Sequence, residues 1–470
     1  MSGLIHTMEW VFLLYTIALN SGYIALNLIA TIHIRRYINV LSSHSLPHVL
    51  GGMAPPVSIL VPAYNEEASI ITSIHAMLQL HYGEFEIVVV NDGSTDGTLQ
   101  KLINHFELQP FPEATRIRLE TRPLKTVYTS YKYPNLRVVD KENGGKADAL
   151  NAGINVSRYP LFCVVDADSI LQQDSLLQVV QPFIEDPLTI ASGGTVRISN
   201  GCTVERGFLS AVGLPRRMLV LMQITEYLRA FLFGRMGWAP LNALLIISGA
   251  FGVFRKEAVI LAGGYRTDTV GEDMELVVRL HRVMHKRGKP YRITFVPDPI
   301  CWTEAPTDLT SLKGQRIRWQ RGLAESLSMN WSLLFNPRGG SVGWLAFPYM
   351  LLFELIGPFL EVGGYLFFLF GVIFGFVEND AAIVFFLAAI GFGLLLSATA
   401  LLLEEISFRI YPLIRQTLTL LMVAMLENLG YRQLNAWWRL LGMLKWLFGY
   451  QAHWGAIHRI GHETKTDRGQ

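Results

Sequence analysis

Charge is scarce in this chain. Asp, Glu, Lys and Arg make up 17% of its 470 residues, against roughly 25% in soluble domains. The formal net charge is only +2, which argues against nucleic acid as a partner. Cysteine is scarcer still. Cys163, Cys202 and Cys301 are far apart in sequence, which excludes a disulfide scaffold or a cysteine metal site and reads as reduced packing residues in a cytosolic region. There is no internal repeat. Apolar residues, by contrast, make up 51% of the chain, and the mean hydropathy of +0.31 points to a membrane protein.

Met8 to Ile32 is a nearly uncharged run long enough to span a bilayer. It is longer than a signal-peptide core, and no basic segment precedes it. Arg35 and Arg36 follow it, so the positive-inside rule puts the N-terminus outside and the next domain in the cytosol. Residues 1–40 are thus read as a transmembrane helix with its flank. The Ser-, Gly- and Pro-containing stretch 41–56 is read as a linker.

From Val57 the pattern becomes α/β. Strands are expected at Val57–Val61, Glu86–Val90, Leu136–Val139 and Phe162–Val165, with helices over Asn65–Leu80, Thr98–Phe106 and Asn143–Val156. Leu108–Pro134 reads as polar and irregular. Further strands are expected at Ser248–Val253 and Ile293–Val296, with a helix over Glu272–His285. Strands alternating with helices predict a mostly parallel, Rossmann-like sheet with helices on both faces, over residues 57–305. Within it, Val204–Ile247 carries Arg216, Arg217, Arg229 and Arg235 among apolar residues, as in amphipathic helices on a membrane surface.

Residues 306–340 hold a basic amphipathic helix, Leu309–Leu334, and 341–450 form a C-terminal membrane region. Val342–Val377 is divided by Gly357-Pro358 and could be one span or two. Ala381–Leu403 is the clearest span, and Leu418–Leu429 is short enough to be re-entrant. Trp437, Trp438 and Trp446 fit an aromatic belt. Glu354 and Glu361, carboxylates in or near the membrane, are candidates to line a path through it. Residues 451–470 read as a polar tail.

The chemistry-bearing residues cluster after strands, where ligands bind in open α/β sheets. Asp166 and Asp168 end an apolar strand one residue apart, and two hard oxygen donors so placed suit Mg²⁺ or Mn²⁺ carrying a diphosphate. An Asp-x-Asp by itself is also a common solvated turn, so the other motifs decide. Tyr64, after Pro62-Ala63, offers a stacking face for a base, and Glu66 could bind a ribose hydroxyl. Asp92, in Asn91-Asp92-Gly93-Ser94-Thr95-Asp96, could accept from a uracil N–H. Lys146, behind two glycines at a helix start, is placed for a phosphate.

Taken in order, Pro62-Ala63-Tyr64-Asn65-Glu66, Asn91 to Asp96, Gly145-Lys146-Ala147, Asp166-Ala167-Asp168, Gly271-Glu272-Asp273 and Gln315-Arg316-Ile317-Arg318-Trp319 resemble family 2 glycosyltransferases of GT-A fold. The layout is similar to that of membrane-integrated polysaccharide synthases making poly-N-acetylglucosamine, chitin, hyaluronan or cellulose. The resemblance implies a cytosolic GT-A domain inserted between transmembrane helices, in a multi-pass protein of a bacterial inner membrane. It implies Asp273 as catalytic base beside Glu272. It implies donor binding by Ala63, Tyr64, Glu66, Asp92, Lys146 and Asp166, with Asp168 on the metal. Gln315, Arg318 and Trp319 would serve the diphosphate and the acceptor end, with Ser248 and Gly249 near the acceptor sugar. Gly271, where cellulose and poly-N-acetylglucosamine synthases commonly carry Thr, and Asn91, where many relatives carry a second aspartate, depart from the pattern.

The expected activity is inverting transfer from a UDP-sugar, N-acetylglucosamine favoured, to a growing β-linked polysaccharide that is translocated. The alternatives are a transferase acting on a lipid acceptor of the ceramide type, or a β-glucan synthase using UDP-glucose. The cellulose reading is disfavoured by the lack of a C-terminal domain large enough for a cyclic-dinucleotide regulator. Expected partners are the donor, a glycan or lipid acceptor, membrane lipids, and accessory membrane or export proteins.

Overall fold

In the computed structural model, residues 2–43, 54–112, 116–205 and 207–450 are described. Most of the 41–56 linker and all of the 451–470 tail fall outside them. The chain divides into two units. Among the described residues, one comprises 2–39, Leu214–Ala243 and 306–450, and the other 40–43, 54–213 and Leu244–Ala305. Leu214–Ala243, read from sequence within the 57–305 domain, therefore groups with the helical unit.

The chain opens with helix α1 (Ser2–Ser43). The α/β unit then runs β1 (Val57–Ala63), α2 (Ile70–Leu78), β2 (Phe85–Asp92), α3 (Thr98–His105), β3 (Leu108–Pro110), β4 (Leu124–Ser130), β5 (Leu136–Lys141), α4 (Lys146–Val156), β6 (Leu161–Val165), β7 (Ile170–Leu171), α5 (Ser175–Glu185) and β8 (Thr189–Ile198). The hairpin β9 (Thr203–Glu205) and β10 (Phe208–Ala211) follows. In the helical unit, α6 (Met218–Glu226) leads through π-helical turns at Tyr227–Gly234 into α7 (Arg235–Trp238). The α/β unit closes with β11 (Phe251–Arg255), α8 (Lys256–Ala262), α9 (Glu272–Arg287) and β12 (Arg292–Thr303).

Ten strands form one sheet in the order β3-β4-β5-β2-β1-β6-β11-β8-β12-β7. The central strands β5, β2, β1 and β6 are parallel. They are almost wholly buried runs of Val, Ile and Leu, the composition of strands covered on both faces. β1 pairs with β2 on one side and β6 on the other, so chain order reverses at β1 and opens a crevice at the carboxyl ends of these strands. β11 is antiparallel to both β6 and β8.

Several local expectations shift. The helix expected from Asn65 begins at Ile70, because Asn65 takes a left-handed φ of 56° and turns the chain first. Leu108–Pro134 is not irregular: it supplies β3 and β4, an antiparallel extension of the sheet at its edge. β4 alternates only weakly between buried and exposed positions, so the sequence gives little sign of it. β8 is fully buried along its length, and its glycines are required there. A Cβ at Gly194 would lie 2.4 Å from the Phe251 ring. The amphipathic stretch from Val204 begins as a hairpin rather than a helix.

The helical unit continues with α10 (Leu309–Met329), a segment of π-helical turns around the short α11 (Phe347–Tyr349), α12 (Gly357–Ile373), α13 (Asn379–Ser407), α14 (Ile414–Leu426) and α15 (Tyr431–Leu447). Among the described residues, three helices are long and apolar enough to cross a membrane: Gly3–Arg35, Val342–Ile373 and Asn379–Ser407. Gly357-Pro358 marks a boundary inside the second: π-helical turns end at Leu355, Ile356 bends, and α12 starts at Gly357 with Pro358 in its first turn, where its missing N–H has no helical partner to lose. The 13 residues of α14 rise about 20 Å, short of the ~30 Å hydrocarbon core. Trp438 is 5% exposed and packs on Leu312 and Tyr431, so it serves this unit's core rather than an aromatic belt.

Two carboxylates here gather several donors each. The Arg439 guanidinium donates to the Glu354 carboxylate at 2.8 Å and to its carbonyl at 2.6 Å. The Tyr23 hydroxyl donates to the same carboxylate, and the Gln320 amide to the Glu354 carbonyl at 2.9 Å. Arg229 pairs with Glu427, which also accepts from Thr225 at 2.7 Å and Ser397 at 2.5 Å.

Candidate active site

At the carboxyl ends of β1, β2 and β6, three loops and two helix starts supply the polar groups of the α/β unit. Gly145, at φ 88°, turns the chain into α4. That turn sends the Lys146 ammonium onto Asp166, just past β6, as an ion pair. Asp273 stands in the first turn of α9, an acidic turn at the positive end of the helix dipole. Its Oδ2 accepts from the Gly249 N–H at 3.1 Å. A Cβ on Gly249 would lie 3.4 Å from Lys146 Nζ and 3.5 Å from Asp273 Oδ2, so amine and carboxylate face the same piece of backbone. Lys146, Asp166, Gly249 and Asp273 thus converge, from four sequence stretches.

Electrostatics follow from this crowding. Burial works against the Lys146 charge, but Asp166, Glu272 and Asp273 hold its pKa above the usual lysine range. Glu272 is 7% exposed, and burial together with Asp273 pushes it up to about 7.

The other expected donor residues divide. Tyr64 is half exposed, as a base-stacking face must be. Ala63 is 1% exposed, so its side chain belongs to the core and only its backbone can meet a ligand. Glu66 accepts from Ser69 Oγ at 3.1 Å. Asp92 is 3% exposed: it accepts from Lys141 Nζ at 2.6 Å and from the N–H groups of Gly144 and Gly145 at 3.0 and 2.7 Å. A carboxylate has about four acceptor positions, so Asp92 chiefly ties the glycine turn before Lys146 to β2 and keeps one position for a ligand. Asp166 and Asp168 are both half-buried, with Ala167 buried between them. Ser248 is half-buried, its hydroxyl accepting from Ala250 N–H at 3.4 Å.

Lys141 and Asn151 have no signature in sequence, and Asn65 is marked only by its place in the Pro62–Glu66 motif. Lys141 is fully buried between Asp92 and Asp148, 2.6 Å from each. Asn151 on α4 exchanges two hydrogen bonds with the Tyr265 backbone, 2.8 and 2.7 Å, and so fixes the loop that leads into α9. Asn65 Oδ1 accepts from Thr95 N–H at 2.8 Å, and its own N–H donates to Ser94, joining the loops after β1 and β2. Only the helix-start position of Asp148 was a readable hint.

Gln315, Arg318 and Trp319 lie on α10 of the helical unit. All three are half-buried. Gln315 Oε1 is buried with no hydrogen-bond partner among the described residues. The Trp319 ring lies 5.5 Å from that of Phe231 and 4.5 Å from the Arg316 guanidinium.

Comparison with known proteins agrees with this geometry. The family described as Glycosyl transferase family 2 matches residues 58–259, and Glycosyl transferase family group 2 matches residues 161–450. The chain is 30% identical over 309 residues to the poly-beta-1,6-N-acetyl-D-glucosamine synthase of Staphylococcus aureus (strain COL), covering 65% of this chain and 62% of that protein. It is 28% identical over 301 residues to the Staphylococcus epidermidis synthase of the same name, covering 64% and 61%. The match therefore spans about three fifths of these relatives. A mannosyltransferase from Pyrobaculum calidifontis, solved with GDP-Man and Mn²⁺, shares the fold at TM-score 0.51 and 17% identity, covering 90% of this chain and 99% of that one. With well over half its length matched by one family and the sheet of that family built around its acidic motifs, this chain belongs to the family 2 glycosyltransferases of GT-A fold.

Proposed function

We propose that this chain is a multi-pass membrane enzyme that transfers N-acetylglucosamine from UDP-N-acetylglucosamine to a growing β-linked polysaccharide, with inversion at the anomeric carbon, and translocates the product. The observation that carries the reading is the convergence of Lys146, Asp166, Gly249 and Asp273 at the carboxyl end of the sheet. The names of the staphylococcal relatives supply the sugar. Three apolar helices of spanning length support the membrane setting. Arg35 and Arg36, at the end of the first, favour a cytosolic catalytic unit.

In this reading Asp273 takes the proton of the acceptor hydroxyl. The acceptor oxygen bonds to the anomeric carbon as the bond to the β-phosphate oxygen breaks. UDP leaves with the electron pair, and an α-linked donor yields a β-linkage. Lys146 offsets the charge growing on the leaving diphosphate. Tyr64 stacks on the base, Glu66 and the last acceptor position of Asp92 hold the nucleoside, and Ser248 and Gly249 border the acceptor sugar. On the acceptor side, Arg318 meets the diphosphate, and Gln315 and Trp319 line the end of the chain.

A divalent cation fits the donor set. Mg²⁺ is held by one or two carboxylates with substrate phosphates completing its sphere. Asp168, with Asp166 beside it, supplies that number. Among the described residues no group of three or more His, Cys, Asp or Glu gathers to hold an ion without a substrate. The cation would neutralise diphosphate charge as UDP departs.

The test is incubation of detergent-purified protein with Mg²⁺ or Mn²⁺ and a panel of radiolabelled UDP-sugars. High-molecular-weight product from UDP-N-acetylglucosamine, lost in Asp273→Asn, is expected. A small lipid-soluble product would replace this reading with glycosylation of a lipid acceptor. Product from UDP-glucose alone would replace the sugar.

A further inference from the structure

Arg316 is 3% exposed, and its Nε is buried without a hydrogen-bond partner among the described residues. A buried guanidinium incompletely satisfied is costly, and an apolar residue of similar volume often packs there at no loss of stability. Its partners and the ring beneath it point to a role beyond filling space. Its Nη2 donates to Glu226 Oε2 at 2.8 Å, and the Tyr431 hydroxyl donates to the same oxygen at 2.9 Å. So fixed, the guanidinium plane lies over the Trp319 ring, 4.5 Å from its centroid, one helical turn along α10. On another side Trp319 meets Phe231 at 5.5 Å, and Arg235 covers Phe231 in turn at 4.9 Å. Phe231 stands in π-helical turns that begin at the residue after Glu226.

We propose that Arg316 is a positioning residue for Trp319: anchored by Glu226 and Tyr431, it sets the plane of the indole that receives the acceptor end. The proposal rests on the reading above, in which Trp319 lines the acceptor end of the site. Lysine cannot replace Arg316 fully, because an ammonium can pair with Glu226 but offers no planar face for stacking. When the indole is free to tilt, the acceptor hydroxyl is misplaced. Water then attacks the anomeric carbon instead, releasing UDP and free sugar.

The test compares sugar incorporated with UDP released, using radiolabelled UDP-N-acetylglucosamine and the full chain in detergent. Arg316→Met is expected to lower the ratio of incorporation to release about tenfold, the size of a desolvated cation–π contact, with the donor KM within about twofold of the parent. Arg316→Lys should fall between the two, and Tyr431→Phe should shift the ratio in the same direction. A purely structural role would lower incorporation and release together. That result, or a parental ratio in monodisperse Arg316→Met, overturns the proposal. If Arg316→Met does not fold, Arg316→Lys and Tyr431→Phe decide by the same ratio. A parent that polymerises no UDP-sugar overturns the functional reading instead, so the two failures are distinguishable.

Discussion

Lys141 and Asp92 form an ion pair of 2.6 Å that is almost wholly closed to solvent. The same ammonium lies 2.6 Å from Asp148. One lysine thus neutralises two buried carboxylates and joins β5, β2 and α4 under the site. Removing it leaves both acids buried and unpaired. Lys141→Met is expected to cost on the order of 3–5 kcal/mol, read as a large fall in thermal midpoint or as failure to purify folded protein. A midpoint within a degree or two of the parent would contradict this account.

Asp273→Asn keeps the shape of the site and an oxygen that can accept from Gly249, but removes the base. Transfer is expected to fall about 10²- to 10⁴-fold, with UDP binding by calorimetry unchanged. Weakened UDP binding in step with activity would assign Asp273 to the donor pocket instead.

Glu272 gives a pH dependence with a definite sign. Its carboxyl is raised from the usual range to about 7 in the folded protein, by burial and by Asp273. The folded state therefore holds this proton more tightly than the unfolded chain. The contribution to stability is complete below about pH 4.5 and is lost as pH rises through 7. A shift of this size corresponds to roughly 3 kcal/mol. Glu272→Gln should flatten the decline of the thermal midpoint between pH 5 and 8 and raise the midpoint at pH 8. Parallel curves for parent and variant would refute the assignment.

Gly194 tests packing at the other side of the sheet. A methyl there meets Phe251 at 2.4 Å and Ile300 at 2.8 Å, both fully buried. Gly194→Ala is expected to destabilise by about 1–3 kcal/mol through overpacking, with the donor KM retained. An unchanged midpoint would mean that these side chains can move aside.

How much of this could be read in the sequence depends on how local each signal is. Asp166-Ala167-Asp168 stood out because two acids closing an apolar strand have few places to be, whereas Gly271-Glu272-Asp273 was marked only by the family resemblance, since acids at a helix start are ordinarily a cap. The central strands were legible because their buried runs are continuous. Lys141 was not: a lysine following Asp140 looks like a solvated strand end, and its partners lie 49 and 7 residues away. Asn65 inside an apparent helical pattern hid a left-handed turn. The π-helical turns at Tyr227–Gly234 and Met350–Leu355 keep close to a helical periodicity, so an apolar pattern cannot separate them from α-helix. For Lys141 and Asn65 tertiary partners decide, and they are set by the sheet order rather than by neighbours in the chain.

Asn65 has a further consequence. Its side chain is stitched to the Thr95 amide while its backbone holds a left-handed turn. The loop presenting Tyr64 is thereby fastened to the loop after β2 before any nucleotide arrives. A platform ordered in advance has little conformational freedom left to lose when a base stacks on it. In the proposed role of Tyr64 as a stacking face, more of the stacking energy would then appear as affinity.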